Sequence, residues 1–433
     1  MALQRDTFGF LAAMAREWDG VVKLGSLGPT PAYLVVDPEL VGQVLQRRWR
    51  DFVRDEVLRG ASAPVFGRGV LMVTGELHQR LRRTMQPAFA RARLVSLVPR
   101  IVAEVEKRAR IWEIHAASER PILMAEEMAR LTQEVFVQVM FDARLDQRLD
   151  TLLASWAEVN AYITERITAP VRLPPSWPTP ANRRMRRALE RIDEIVLPMI
   201  AERRSELAGG QEREDLLSLL LTARDVETGE GLDDALLREQ ILMTFFAGFE
   251  TTSMALTWAW ILLARHPEVE RRVHEELDAV IGEDLPRAEH LADLRYLRQV
   301  FDEVLRLYPS VFMLARQPVG EQELGGHRIA PGSVVFVSPW VLHRDPRRWP
   351  DPERFDPERF AEGREPPSFA YLPFGAGPRL CIGKHLALLE AQLILATLAR
   401  RYRPRVIPGE RYTPEPMFTL HLAGGAPMRL ERR

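Results

Sequence analysis

Phe374-Gly-Ala-Gly-Pro-Arg-Leu-Cys-Ile-Gly383 contains the only cysteine of the chain, Cys381. Gly375, Gly377 and Gly383 permit backbone conformations that side chains forbid, and they let a ligand approach the main chain closely. Leu386, Leu389 and Leu393 begin a helical apolar pattern just downstream. The sulfur therefore belongs near a helix N-terminus, where unpaired N–H groups and the positive end of the helix dipole favour thiolate, lowering a pKa that starts near ~8.5 in a free thiol. A thiolate held this way is an iron ligand or a nucleophile. An isolated cysteine is more often a buried small hydrophobe, and a protease-type nucleophile needs a positioned His base, which no other feature of the sequence supplies.

Outward from this loop, the chain is 433 residues long, 46% hydrophobic and 27% charged, with a net charge of −1. That composition describes a globular protein with a substantial core and argues against a nucleic-acid partner. One cysteine excludes an intramolecular disulfide. The first twenty residues carry Arg5, Asp6, Arg16, Glu17 and Asp19 where a signal peptide would have an uninterrupted apolar run, so the expected location is the cytoplasm. Residues 241–264 include one charge, Glu250, and are long enough for a bilayer span. A central carboxylate costs ~2.5 to 3.5 kcal/mol in lipid. With Thr244, Thr251, Thr252 and Ser253 beside it, the stretch is expected to be one fully buried helix with no transmembrane anchor.

Short β-like pieces, Val21 to Leu24 and Ala32 to Val36, flank a Gly-Pro turn, and helix is expected from Pro38 onward. Helical periodicity dominates from about 76 to 308, broken by a proline-rich loop between Pro170 and Pro180 and by a polar segment from Gly209 to Glu214. After Pro309 come short strands and a long Pro-rich meander, then a helix from Cys381 to about Tyr402, then a terminal β-hairpin. The expected organisation is a single domain over 1–433, mainly α with a smaller β region. The β-rich portions fall at about 20–37, 325–340 and 404–430, and the helical bulk at about 76–308 and 382–402.

Four further motifs carry chemistry. In Phe246-Ala-Gly-Phe-Glu-Thr-Thr252, Gly248 costs roughly 1 kcal/mol relative to alanine in a helix, so something needs the space it leaves, and Glu250 places an ionisable group in a dry setting. A plain helix–helix contact at Gly248 is the simplest alternative. Glu303 and Arg306 face each other at i and i+3 among Phe301, Val304, Leu305 and Leu307, which favours a buried pair over a surface pair worth ~0.3 kcal/mol. Asp-Pro-Glu-Arg-Phe occurs twice in succession, at 351–355 and 356–360, offering Arg354 and Arg359. His78 and Arg82, at i and i+4, share one helix face.

The spacing Phe-Gly-x-Gly-x-Arg-x-Cys-x-Gly resembles the haem-binding loop of the cytochrome P450 family, and the other motifs follow in that family's order from about His78 to Gly383. The resemblance implies the family's triangular-prism fold, with haem b (iron protoporphyrin IX) between the long central helix and the Cys loop. Cys381 would ligate the iron, and Phe374, Gly375, Gly383, Ala247 and Gly248 would line the cofactor. His78, Arg82, Arg316 and Arg379 would face its propionates, since two carboxylates call for charge-assisted donors. Thr251 would hydrogen-bond dioxygen and deliver protons with Glu250, and Glu303, Arg306 and Arg359 would form a structural triad.

The activity implied is a haem-thiolate monooxygenase inserting one atom of O2 into an apolar small molecule of the fatty acid, terpenoid or carotenoid class. Phe245, Phe249, Val311, Phe312, Met313, Leu314 and Phe418 are candidates for its pocket. No flavin or ferredoxin-like module fits in the remaining sequence. A ferredoxin or flavodoxin type donor with its reductase would therefore bring electrons from NAD(P)H, docking near Arg82, Arg83 and Lys384. The rivals are a peroxide-dependent hydroxylase, a haem-thiolate isomerase and a non-catalytic haem-binding sensor; intact Glu250 and Thr251 weigh against the first two.

Overall fold

The computed structural model describes residues 6–433 apart from 28–29, 119, 143–146, 170–172, 212, 214 and 418. In chain order the elements that position the site are α1 (Thr7–Glu17), β1 (Val21–Leu27), β2 (Thr30–Val35), β3 (Phe52–Arg54), α2 (Gly75–Met85), α3 (Val98–Ser118), α4 (Met124–Phe141), α5 (Gln147–Thr168) and α6 (Pro180–Ala208). They continue with α7 (Asp234–Gly248), α8 (Glu250–Arg265), α9 (Pro267–Val280), α10 (Arg295–Leu307), β4 (Leu314–Pro318), β5 (Val334–Val337) and α11 (Lys384–Ala399). The chain closes with β6 (Tyr402–Val406), β7 (Pro414–Pro416), β8 (Leu420–Leu422) and β9 (Pro427–Arg432). The fold is mainly helical with small sheets, as the sequence predicts.

The chain packs as two compact units. The first comprises Met1–Val53, Val98–Gln133 and Glu250–Arg433. Its largest sheet runs in the order β1-β2-β5-β4-β3, with β1 antiparallel to β2, β2 parallel to β5 and β5 antiparallel to β4. Tyr33, Val35, Val335 and Val337 from the sheet join Val41, Leu45, Phe52 and Leu372 in one buried cluster. Burial of such side chains is worth roughly 1.5–3 kcal/mol each. The helical part of the unit is cored by Trp112, whose ring lies against those of Trp260 and Tyr402, both at 5.7 Å.

The second unit comprises Arg54–Leu97 and Glu134–Phe249. Phe245 sits at its centre, stacked on Trp156 at 5.1 Å and edge-on to Phe136 and Phe249. Helix starts are capped as their sequences require: the Thr179 hydroxyl accepts from Asn182 N at 3.1 Å to open α6, and Asp233 does the same for Leu236 N at 2.7 Å to open α7.

Several expectations are corrected. The stretch 241–264 is two helices, α7 ending at Gly248 and α8 starting at Glu250, with Phe249 between them. Hydroxyls on both sides of the interruption bond back onto the helix, Thr244 to Gln240 O at 2.7 Å and Ser253 to Glu250 O at 2.8 Å, and so compete with its backbone ladder. Helix after Pro38 lasts only to Gly42, then widens into a π-turn over Gln43–Arg47 before β3.

The helix after Cys381 ends at Ala399, not Tyr402. Tyr402 opens β6 because its hydroxyl is drawn to Ala109 O at 2.7 Å and Glu113 at 3.0 Å. The C-terminus is not one hairpin. β6 pairs with β9, which also takes Ile122–Leu123, while β7 and β8 form a small hairpin of their own. Helix α1 was not foreseen; Asp6 caps it by accepting from Gly9 N at 2.9 Å. Among the described residues no helix is long and apolar enough to cross a membrane.

Candidate active site

The loop that carries Cys381 is closed by its own backbone. Gly375 N donates to Leu372 O at 3.0 Å, Leu380 N to Gly377 O at 2.9 Å and Cys381 N to Phe374 O at 2.9 Å. Gly377 has φ +68°, and a Cβ there would lie 2.1 Å from Leu45 O, so only glycine allows this close approach. Cys381 is exposed, and α11 begins three residues later with Leu386, Leu389 and Leu393 buried. Phe374, Ala376, Pro378, Leu380 and Ile382 are left half-exposed around the sulfur. A flat apolar prosthetic group whose iron takes a thiolate ligand would cover such a surface, so the residues fit haem. Among the described residues no group of three or more His, Cys, Asp or Glu gathers as a metal cage.

At the start of α8, in the same unit, Thr251 O accepts from the Ser310 hydroxyl at 2.7 Å. The Glu250 carboxylate meets two donors on one oxygen, the Thr419 hydroxyl at 2.9 Å and His421 Nε2 at 2.6 Å. Leu420 N donates to Ser310 O at 2.8 Å, so the segment after α10 bridges α8 and β8. That segment then supplies Val311, Phe312, Met313 and Leu314. Phe312 packs with Trp340 and Leu420, while Leu314 joins Ala376 and lies 3.8 Å from where a Gly375 Cβ would be. Contacts thus run from Thr251 through residues 310–314 to the Cys381 loop.

Behind the loop, Glu303 and Arg306 on α10 are fully buried. Arg306 grips Glu303 through two bonds, Nε at 2.6 Å and Nη2 at 2.8 Å. Its remaining donors reach His343 O at 2.8 Å, Pro352 O at 2.7 Å and Arg354 O at 3.1 Å. Asp356 N donates to Glu303 at 2.9 Å, and the Arg359 guanidinium stands 3.5 Å from the same oxygen. Burial pushes the Glu303 carboxyl up, opposed by its bonds to Arg306. Arg359 is thus the arginine beside Glu303, whereas Arg354 contributes its carbonyl.

His343 completes this hub. Leu372 N donates to Nε2 at 2.7 Å, so the ring proton resides on Nδ1 and is donated to Arg306 O at 3.1 Å. Burial pushes this histidine down to about 3. It therefore stays neutral and ties the α10 pair to Leu372, two residues before Phe374.

The other expected site residues are placed as follows. Arg316 on β4 is buried and donates to Ala315 O at 2.9 Å, and Arg379 is half-exposed in the Cys381 loop. In the second unit, His78 is buried on α2 and Arg82 is half-exposed, its Nε 3.3 Å from Gln86. Arg83 is paired with Asp225 at 3.1 Å and Glu227 at 2.9 Å. Ala247 is exposed although Phe245, Phe246 and Phe249 are buried. The room left by Gly248 is occupied on one side by the Phe136 ring, 2.5 Å from a would-be Cβ. Phe418 lies outside the described residues. Thr419, His421 and His343 were missed by sequence reasoning.

The chain matches the Cytochrome P450 family model over residues 4–425 and belongs to that family. It is 39% identical to a cyclooctat-9-en-7-ol 5-monooxygenase of Streptomyces melanosporofaciens, over 94% of this chain and 87% of that protein. A cyclooctatin synthase of the same organism is 36% identical over 97% of this chain and 90% of its own length. A pentalenene oxygenase of Streptomyces avermitilis is 32% identical over 100% of this chain and 94% of its own. The protein is accordingly an oxidoreductase, a haem-dependent monooxygenase that uses dioxygen, a small-molecule substrate and electrons from redox partners.

Proposed function

We propose that the two units act as one catalytic domain that hydroxylates a cyclic terpenoid, with Cys381 as the iron ligand. The observation that carries this reading is the single exposed thiol on an apolar, half-exposed glycine loop. Thiolate-held haem supplies the redox centre at which dioxygen is reduced. The protein's part is to hold the group, exclude water and move protons. Phe374, Gly375, Gly383, Ala247 and Gly248 would line its faces. His78, Arg82, Arg316 and Arg379 would donate to its two propionates.

Thr251 and Glu250 would supply protons from the α8 side, the carboxylate relaying and the hydroxyl delivering. Glu303, Arg306 and Arg359 would keep the loop in place. Val311, Met313 and Leu314, which are half-exposed, with Phe249 and Phe312, would form the apolar wall of a pocket; Phe245, enclosed by rings, serves as core. Three relatives named for cyclic terpenoids favour that class over fatty acids and carotenoids. A ferredoxin or flavodoxin with its reductase would carry electrons from NAD(P)H in the cytoplasm.

The test reconstitutes the protein with haem, NADPH and a surrogate ferredoxin and reductase, then offers pentalenene and cyclooctat-9-en-7-ol. Binding is expected to shift the haem spin state, and the product to contain one atom from isotope-labelled dioxygen. Reduced protein whose carbonyl spectrum lacks the red-shifted thiolate band would sink the assignment of Cys381. Turnover with peroxide alone, and none with NADPH and partners, would instead favour the peroxide-dependent rival.

A further inference from the structure

We propose that His421 positions Glu250 and passes it protons from solvent, so that the C-terminal hairpin takes part in the proton supply of the reaction. This rests on the assignment of Glu250 and Thr251 to proton delivery. Glu250 is the first residue of α8, and its carboxylate is held by Thr419 and His421, 169 and 171 residues further along the chain.

Thr419 and His421 flank Leu420. In extended chain, residues two apart point to one face while the residue between them points to the other. Leu420 is fully buried against Phe312 and Trp340, and its two neighbours turn to Glu250.

Both donors converge on Oε1 of the carboxylate. An ionised carboxylate only accepts, so the imidazole carries its hydrogen on Nε2. Exposure rises along the line: the Glu250 side chain is 14% exposed and that of His421 is 32%. An imidazole, with one ring nitrogen to take up a proton and one to release it, thus stands between water and a carboxylate enclosed by protein.

Carboxylates face His421 from the elements packed against this strand. α8 contributes Glu250, and β7 contributes Glu415, which is exposed and directly opposite His421 in the register. No cation is interposed in that pairing.

The step balances in protons alone. Hydronium in the solvent gives a proton to Nδ1 of the neutral ring and becomes water. The Nε2–H bond then breaks as an O–H bond forms on Glu250 Oε1, which leaves the ring neutral and the carboxylate converted to a neutral carboxylic acid that holds a proton for the Thr251 side. No electrons are exchanged with the ring, and gain and loss of protons through water restores the starting tautomer.

His421→Ala, His421→Asn and Glu250→Gln are compared in holoenzyme with pentalenene and cyclooctat-9-en-7-ol, scoring product per NADPH between about pH 5 and 8. His421→Ala is expected to lower coupling roughly tenfold or more, to raise peroxide release and to flatten the pH dependence. His421→Asn keeps a donor but cannot titrate, so it should retain haem and fold while losing the same pH dependence. Adding His421→Ala to Glu250→Gln should then cost nothing further.

Spectra of nitrogen-labelled histidine give a readout that needs no turnover. The His421 resonance, assigned by its loss in His421→Asn, should change its Nε2 chemical shift once Glu250→Gln replaces the carboxylate that accepts from it. An unmoved His421 Nε2 resonance, or unchanged coupling and pH profile in His421→Ala where Glu250→Gln is impaired, overturns the proposal and leaves the relay intact. Unchanged coupling in Glu250→Gln overturns the relay itself.

Discussion

Two clusters in the first unit pair a glutamate with a basic side chain, and they differ in almost every physical respect. Glu303 and Arg306 are fully buried, doubly bonded to each other and held by backbone groups of the meander on every remaining side. Glu250 and His421 meet at one oxygen, with water within reach of the imidazole. In the first cluster every donor is used and no state can change without cost. In the second a proton can arrive and leave. Burial decides which ion pair is architecture and which is chemistry.

The comparison breaks most visibly at Arg306. Arg306→Ala leaves Glu303 charged, buried and stripped of its main partner, and losing one partner of such a pair costs roughly 3–5 kcal/mol. The expected outcome is protein that fails to retain haem, measured by its carbonyl spectrum and thermal midpoint. Arg306→Lys should be nearly as damaging, because one ammonium cannot reproduce contacts to Glu303, His343 O, Pro352 O and Arg354 O. A variant of normal stability would show that the hub is dispensable.

On the chemical side, Thr251→Ala keeps the bond to Ser310, which uses the Thr251 carbonyl and not its hydroxyl. Coupling is expected to fall about tenfold with a matching rise in peroxide. Unaltered product per NADPH would remove Thr251 from proton delivery.

Two buried titratable groups sharpen the contrast through opposite pH slopes. Glu390 on α11 is buried with one carboxyl oxygen lacking a hydrogen-bond partner, and desolvation pushes it up to about 8. Its raised pKa favours the neutral folded form. Its contribution is therefore complete below the unfolded value near 4.5 and is lost as pH climbs toward about 8, at up to about 1.4 kcal/mol per unit. Glu390→Gln should abolish that slope and gain on the native protein as pH rises. His343, depressed to about 3, works the other way: its contribution is present above the unfolded value near 6.5 and disappears as pH falls toward about 3. Urea midpoints across that range in the native protein and in Glu390→Gln test the signs.

How much of this was legible depended on whether partners are close in sequence. Cys381 with its glycines, and Glu303 with Arg306, announce themselves because ten contiguous residues or one helical turn contain the pattern. His343 did not, since its role comes from Leu372 N and Arg306 O, groups that every residue possesses. His421 lies in a short strand whose alternation looks like any other hairpin, Thr419 just precedes it, and their target Glu250 is far away in the chain at the start of α8. The end of α11 was misjudged for the same reason, because Tyr402 is claimed by Ala109 and Glu113 on α3. The interruption at Phe249 was partly visible in Thr244 and Ser253, whose hydroxyls compete for helix carbonyls.

The smallest effect supplies the control for the whole comparison. Arg271 and Glu275 on α9 form an ion pair at i and i+4 with side chains 65% and 60% exposed. They share residue types with the Glu303–Arg306 pair but remain in water, so Coulomb attraction is screened and the ordering of two long side chains opposes it. Arg271→Ala should change stability by less than about 0.5 kcal/mol and leave coupling untouched. A loss approaching that of Arg306→Ala would mean that charge pairing as such, and not enclosure by the meander, sets the strength of the hub.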